Sequence, residues 1–545
     1  MIEEIKKTIN GVLDALGFPE SVTYTLELPP SGIDFDLATN VALVAGTKNK
    51  QNPRELAEQI AKDLEKSDIL LKAEVAGPGF INIKISDAVL ASELENVQAS
   101  KGYGSNNEGK DKTVCVEYIS ANPTGQVHIG NARGGPIGEA IANLYEYFGY
   151  NAVRRFYVND IGGQVEKLAS TFYYYYEISL GQKVEFPEGG YPGEYIELVA
   201  TEIIEKYKKE LSEFKDKSEI LPFLKEKGLQ STVENIKREV ALLGIKFDHY
   251  DYQSEIEESG KAEAAITRLE ESGATTQKEG ALWFKNPGDP DVADKEAVLR
   301  KSDGDKTLTY FADDVAYHIE KYEQNYEMIV DVLGSNHHGH LPRMRAVTRS
   351  LGYDVDKLKV ILYQFVQLKN GEEIMKMSKR MGNFVTLSQV INGGVTADAF
   401  KYFILSQNND TPIDFDVKLA SERSEKNPVF YIQYAHARIS SILRKAEISA
   451  KLDILKLNQD IEHKIIKNLI IFPELLAEVK ESYQIQKIAH YTYGLSSLFH
   501  EYYSGTQILI DDKETSASRL FLIECVKQVL SSALTILDID APEKM

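Results

Sequence analysis

Between residues 113 and 119 the chain is β-branched, aromatic and apolar with a single charge, the composition of a buried parallel strand. Asn122-Pro123 and Thr124-Gly125 then break the run. From Asn131 the apolar positions change to helical spacing, through Ile137, Ala140, Ile141, Leu144, Tyr145 and Phe148, and Gly149 stands where a helix C-terminus is expected. A second strand is predicted over 151–158, and strand signals return at 308–311, 328–334 and 359–368, the last closing on Asn370-Gly371. Helical spacing separates them, so the pattern predicts a multidomain α/β protein built on a Rossmann-like parallel sheet with right-handed crossovers.

The interval 162–295, with Pro187, Pro192, two glycine pairs and charged helical stretches such as 194–214, is longer than a crossover needs and reads as an insertion. Residues 1–108 read as a separate α+β domain, with helices over 1–16 and 53–66, strands over 21–28 and 69–75, and a polar linker over 101–112. From 387 onward no strand pattern recurs. Helical periodicity at 430–446, 462–480 and 518–537 makes 426–545 an all-α domain, joined to a catalytic part over 109–390 by a helical connection over 391–425.

Composition narrows the class. A chain of 545 residues that is 43% hydrophobic can bury several cores. It has no run of 18 apolar residues, and residues 1–17 read as an amphipathic helix with Glu3, Glu4, Lys6 and Lys7 on its polar side, so a soluble cytoplasmic protein without membrane attachment is expected. Only two cysteines occur, Cys115 and Cys525, both at apolar positions, which leaves neither a disulfide framework nor a thiolate zinc site. The net charge of −21 argues against nonspecific coating of nucleic acid, while a local basic face remains compatible with RNA.

Two short words carry the chemistry. His128-Ile129-Gly130-Asn131 falls at the strand-to-helix corner, where unpaired N–H groups and the helix dipole favour a polyphosphate. His128 would donate to that phosphate, Gly130 would let a flat adenine approach the backbone, and Asn131 would cap the helix and donate. Lys376-Met377-Ser378-Lys379-Arg380 lies in a stretch of loop composition and supplies cations that stabilise charge developing on the phosphates. Together they describe an ATP site, with His128, Asn131, Lys376 and Lys379 in catalytic roles and Gly130, Met377 and Ser378 completing nucleotide binding.

With Glu117-Tyr118-Ile119-Ser120-Ala121-Asn122-Pro123-Thr124-Gly125 leading into the first word, the chain resembles the class I aminoacyl-tRNA synthetases, and within them the arginyl-tRNA synthetases of bacterial type. Tyr310-Phe311-Ala312-Asp313-Asp314-Val315-Ala316-Tyr317-His318, Gly334-Ser335-Asn336-His337-His338-Gly339 and Asn427-Pro428-Val429-Phe430-Tyr431-Ile432-Gln433-Tyr434-Ala435-His436-Ala437-Arg438 are similar to later blocks of that family, and the likeness runs over nearly the whole chain. The resemblance implies a HUP-type catalytic domain, activation of arginine by ATP to arginyl-adenylate, and transfer to the terminal adenosine of its tRNA. It also implies that tRNA must bind before activation, that the N-terminal domain touches the tRNA elbow and that the C-terminal helices hold the anticodon. A monomer is expected.

An arginine pocket needs acceptors, because guanidinium carries five donors and no acceptor. Glu117 and Asp314 are the carboxylates on matching blocks; they are expected to grip the guanidinium with help from Tyr310, while Asn122 holds the arginine backbone. Lysine would leave the fork acceptors unpaired. Magnesium is expected to arrive with ATP through phosphates and water, not in a protein cage. His337, His338 and His340 sit on neighbouring positions without acidic or thiolate partners at ligand spacing, so no metal site is expected there. The tyrosine run at 173–176 reads as packing more readily than as a base-stacking platform, and Gln364 and Gln367 either face the ATP site or line a sheet edge.

The first word departs from the family pattern, which ends in a second His where Asn131 stands; imidazole and amide both donate to phosphate, so activity is expected to survive. The second word is complete, including Lys379. Two other readings stand beside this one. Another class I synthetase is disfavoured by the missing thiolate ligands and by the acidic pocket, and a noncatalytic tRNA-binding paralogue predicts erosion of the ATP words, for which Asn131 is the single hint.

Overall fold

A computed structural model describes residues 1–545 apart from 19–21, 31, 287–295, 304–306, 372 and 375–384. The chain forms two compact units, Asn107–Arg423 and the combination of Met1–Asn106 with Ser424–Met545.

In the first unit five strands form one sheet: β1 (Thr113–Tyr118), β2 (Asn151–Val158), β3 (His249–Tyr252), β4 (Met328–Gly334) and β5 (Leu358–Tyr363). The spatial order is β5-β4-β1-β2-β3 and every pair is parallel. The chain therefore winds outward on one side of β1 and then returns to the other side, which opens a crevice between the carboxyl ends of β1 and β4. Helix α1 (Gly134–Tyr147) follows the first corner and packs on β1 and β2. Its closest approach is at Gly138, where a Cβ would collide with the Tyr118 ring, so this helix position needs glycine for packing.

Helices α2 (Gly163–Ser179) and α3 (Lys217–Ala241) lie between β2 and β3, and α4 (Tyr310–Glu323) precedes β4. One buried cluster joins Cys115 of β1, Ile329 of β4, Phe311 and Val315 of α4, and Leu282 of a small antiparallel sheet. A second sheet, of β6 (Val366–Asn370), β7 (Glu373–Ile374) and β8 (Ile413–Asp416), pairs β6 antiparallel with β7 and parallel with β8.

Four local expectations are corrected. The strand signal at 308–311 yields only a bridge from Leu308 to Arg300, because Tyr310 already opens α4. The single strand over 359–368 is two, β5 and β6, which belong to different sheets and separate at Gln364, whose N–H donates to Asn409 O at 3.0 Å. A strand, β8, does recur after 387, pairing with β6. In the span read as an insertion, His249–Tyr252 is the edge strand of the main sheet, with the polar pattern of an edge.

In the other unit a four-stranded antiparallel sheet, ordered Leu26–Glu27, Leu37–Thr39, Phe80–Ile85 and Leu70–Ala76, carries helix Pro53–Leu64, on which Ile2–Ala15 packs, while Asp87–Ala99 packs on Lys513–Ile536. The helices from Pro428–Lys445 to Lys513–Ile536 form a bundle. In it the buried Glu462 accepts from Tyr502 Oη at 2.7 Å and pairs with Arg519 at 3.0 Å. Among the described residues no helix is long and apolar enough to cross a membrane.

Candidate active site

Just beyond β1 the backbone takes two uncommon conformations, with φ of 66° at Ile119 and 38° at Ser120. A β-branched residue in the left-handed region is strained, and such strain persists where its surroundings impose it. Here the bend lets Ser120 Oγ donate to Glu117 Oε1 at 2.9 Å and accept the Tyr157 N–H at 3.1 Å.

His128 is the N-cap of the helical turn Ile129–Ala132, which runs on into α1. Its Nδ1 accepts the Asn131 N–H at 3.2 Å, so the imidazole, not the Asn131 side chain, caps this helix, a correction to the sequence reading. With Nδ1 accepting, a neutral ring carries its proton on Nε2, which makes that nitrogen the donor. Gly130 lies under the ring, and a Cβ there would stand 3.0 Å from both Nδ1 and Cε1 of His128. Arg133, fully buried in the next turn, donates to the carbonyls of Gln364 at 2.7 Å, Thr411 at 2.9 Å and Asn408 at 2.9 Å, and burial lowers its pKa to about 10. The Gln364 backbone thus anchors the corner to neighbouring loops.

Lys376, Met377, Ser378, Lys379 and Arg380 lie outside the described residues. Their flanks do not. The stretch leaves from β7, and Val385 on its far side accepts the Ile129 N–H at 3.2 Å. Leu387 N–H donates to Val127 O at 2.9 Å, and His128 and Thr386 form an antiparallel bridge. The chain leaving the second word is therefore paired with the first.

On α4, Asp314, His318 and Lys321 follow at i, i+4 and i+7 and share one face. That face meets Glu117 of β1 and Asp331 of β4, which are register partners. His318 Nδ1 stands 3.0 Å from Asp314 Oδ1 and Nε2 stands 2.9 Å from Asp331 Oδ2. Lys321 Nζ reaches Asp331 Oδ1 at 2.8 Å and Glu117 Oε2 at 2.6 Å, and its side chain is 0% exposed. His340, from the segment after β4, pairs with the second oxygen of Asp314. Acid and base alternate along this line of six ionisable groups, which is how Glu117, Lys321 and Asp331 can be buried together.

The charges follow from the geometry. Burial disfavours a charged His318, but Asp314 and Asp331 overcome it and raise its pKa to about 10. Burial alone would raise Asp314, yet His318 and His340 hold it well below the ordinary carboxylate range. Asp331 is likewise held at about 2 against desolvation, chiefly by Lys321. Burial opposes charge on Lys321 too, and Asp331 and Glu117 raise its pKa.

Glu117 and Asp314 thus belong to one connected line, but Glu117 faces Lys321 and Ser120 while Asp314 faces the two histidines. Tyr310 is 56% exposed at the first turn of α4, its hydroxyl against Gly162, where φ is 89° and any Cβ would collide with it. Exposed Asn122 donates to Gln164 Oε1 of α2 at 3.1 Å. His337 and His338 are exposed beyond β4. Tyr173, Tyr175 and Tyr176 pack against the buried Phe172 cluster, and Gln367 sits within β6. Among the described residues no three His, Cys, Asp or Glu side chains converge as a metal-binding group. Sequence reasoning missed His318, Lys321, Asp331 and Arg133; the helical spacing from Asp314 to Lys321 and an acid inside the apolar run of β4 were the available signals for the first three.

The family described as "tRNA synthetases class I (R), catalytic domain" matches residues 93–416, which defines the catalytic part as that of a class I aminoacyl-tRNA synthetase. "Arginyl tRNA synthetase N terminal domain" matches residues 3–85 and "DALR anticodon binding domain" residues 432–545. The arginine–tRNA ligase of Caldanaerobacter subterraneus is 39% identical over 565 residues, covering 100% of this chain and 98% of its own. That of Shouchella clausii is 37% identical over 528 residues, covering 95% and 94%. The Thermus thermophilus arginyl-tRNA synthetase structure shares the fold with a TM-score of 0.81 at 21% identity, covering 100% of both chains. The chain belongs to the arginyl-tRNA synthetase family.

Proposed function

We infer that this chain is an arginine–tRNA ligase. The observation that carries the reading is the line of carboxylates, histidines and lysine where α4 meets β1 and β4, in which Asp314 is held ionised by His318 and His340. Ligands of doubly wound sheets bind at the switch point of the sheet.

The arginine carboxylate attacks the α-phosphate of ATP in line, the bond to the bridging oxygen breaks, and pyrophosphate leaves with its electron pair. A ribose hydroxyl of the terminal tRNA adenosine then attacks the arginyl carbonyl and AMP departs. No covalent enzyme intermediate is needed, so positioning and charge stabilisation do the work. His128 donates from Nε2 to phosphate, Gly130 admits the adenine, and Asn131 adds a donor from the next turn. Lys376 and Lys379 bring cations to the phosphates, with Met377 and Ser378 beside them. Asp314 takes one edge of the guanidinium and Tyr310 helps orient it. Glu117 contributes lone pairs beyond those used by Lys321 and Ser120, and Asn122 holds the arginine backbone. Magnesium would come with ATP as part of the substrate and would neutralise phosphate charge.

Residues 1–108 and 426–545 are assigned to the tRNA elbow and anticodon, the catalytic part to 109–390, and the working unit to a cytoplasmic monomer. Incubation with labelled arginine, ATP and total tRNA should give acid-precipitable label; none would overturn the reading. Lys379→Ala should lower turnover on the order of a hundredfold, as loss of one transition-state donor does, while tRNA binding stays near wild type. Unchanged turnover in a filter-binding and exchange comparison removes this lysine from the mechanism.

A further inference from the structure

Glu239 lies on α3, far in sequence from both ATP words, and is 7% exposed. One carboxylate oxygen accepts the Val127 N–H, immediately before His128. The other accepts Ser388 Oγ at 2.8 Å and Gln126 Nε2 at 3.3 Å. Ser388 in turn meets Thr386 Oγ1 at 3.0 Å, and Thr386 opens the helix Leu387–Asn392 through a capping box with Gln389.

We propose that Glu239 is a positioning residue for adenylate formation, clamping the segment that enters the His128 corner to the segment that follows the second word. This rests on the functional reading above and extends it to a residue outside the ATP words. The main-chain pairing of the two segments is a single bridge with two hydrogen bonds, and so short a ladder is marginal without side-chain support. Glu239 supplies that support from outside, with one donor on the first segment's backbone and another on the far segment's side chain. Its three donors are neutral, and burial raises the carboxyl above its ordinary range while the donors oppose the shift. A buried carboxylate held only by neutral donors is an expensive way to tie two loops, and an ionised acceptor makes shorter and stronger bonds than an amide. The carboxylate is itself fixed, because α3 packs on α2, with Gly228 of α3 against Phe172. The His128 corner and the described flank of the second word, residues 385–388, are thereby held at one separation.

The test is ATP–pyrophosphate exchange by the full chain with arginine and total tRNA. Glu239→Ala should lower kcat by about tenfold to a hundredfold, the scale of a small misplacement of reacting groups, and leave the arginine KM within about twofold. Glu239→Gln, which keeps an acceptor for Val127 N–H, should recover most of the loss. Half-buried Ser388→Ala, which leaves the fold intact, should cost less and add little in the Glu239→Ala background, the signature of one coupled unit. Wild-type kcat in Glu239→Ala overturns the proposal. So do independent effects of the two substitutions, or a loss that Gln does not recover and that raises the arginine KM in step. Failure of the wild-type chain to exchange with arginine would count against the functional reading instead.

Discussion

Asp314→Asn is expected to raise the arginine KM in pyrophosphate exchange by about a hundredfold or more, the cost of removing one partner from a desolvated, hydrogen-bonded charge pair. The side chain keeps its shape and one acceptor, so α4 should keep its place. What is lost is the charge beside His318 and His340 that is proposed to meet the guanidinium. Because His318 and His340 hold Asp314 well below the ordinary carboxylate range, this group stays ionised through the working range of pH. The wild-type arginine KM should therefore show no inflection from it between about pH 5 and 8. Steady-state kinetics over that range check both statements, and an unaltered KM in the variant would remove Asp314 from the pocket.

Lys321→Met should cost about 3–5 kcal/mol of unfolding free energy, because breaking a buried pair strands its partners. With Nζ gone, Glu117 and Asp331 remain side by side on β1 and β4 without their shared cation, and one of them must take up a proton. The deficit relative to wild type should be larger at pH 8 than at pH 5, since protonation relieves the repulsion at the lower pH. In the wild type the lowered Asp331 contributes stability that is present above its unfolded value, near pH 3.9, and lost as pH falls through about 2. The raised His318 behaves in the opposite sense, contributing fully below about pH 6.5 and losing its contribution as pH rises through about 10. Urea titrations of both proteins at the two pH values measure the difference, and equal midpoints would show that the buried line contributes nothing to stability.

Strands with long apolar runs were legible: residues 113–119 anticipated β1 and 328–334 anticipated β4, because burial on both faces leaves no alternation to confuse. His249–Tyr252 was not, since an edge strand can remain polar, and β8 is only four residues of mixed character. Tyr310 has the aromatic character of a strand residue, yet the helical spacing downstream of it prevailed. In the site, Glu117 and Asp314 stood out as carboxylates on recognisable blocks. The line joining them did not, because His318, Lys321 and Asp331 come together only when α4 crosses β1 and β4. Glu239 is further still from view: nothing along α3 marks it, and its role follows from what the fold brings to it. The cap at residue 128 shows the limit of residue preferences, because Asn131 has the better capping side chain but the wrong position.

ATP–pyrophosphate exchange with each of the twenty amino acids, with and without total tRNA, tests most directly whether this chain activates arginine. Exchange confined to arginine is the predicted result, with any dependence on tRNA read from the paired reactions. Absence of exchange under both conditions while tRNA still binds, or exchange with a different amino acid, would contradict the account, the first pointing to a noncatalytic tRNA-binding protein with Asn131 as the residue to restore to His.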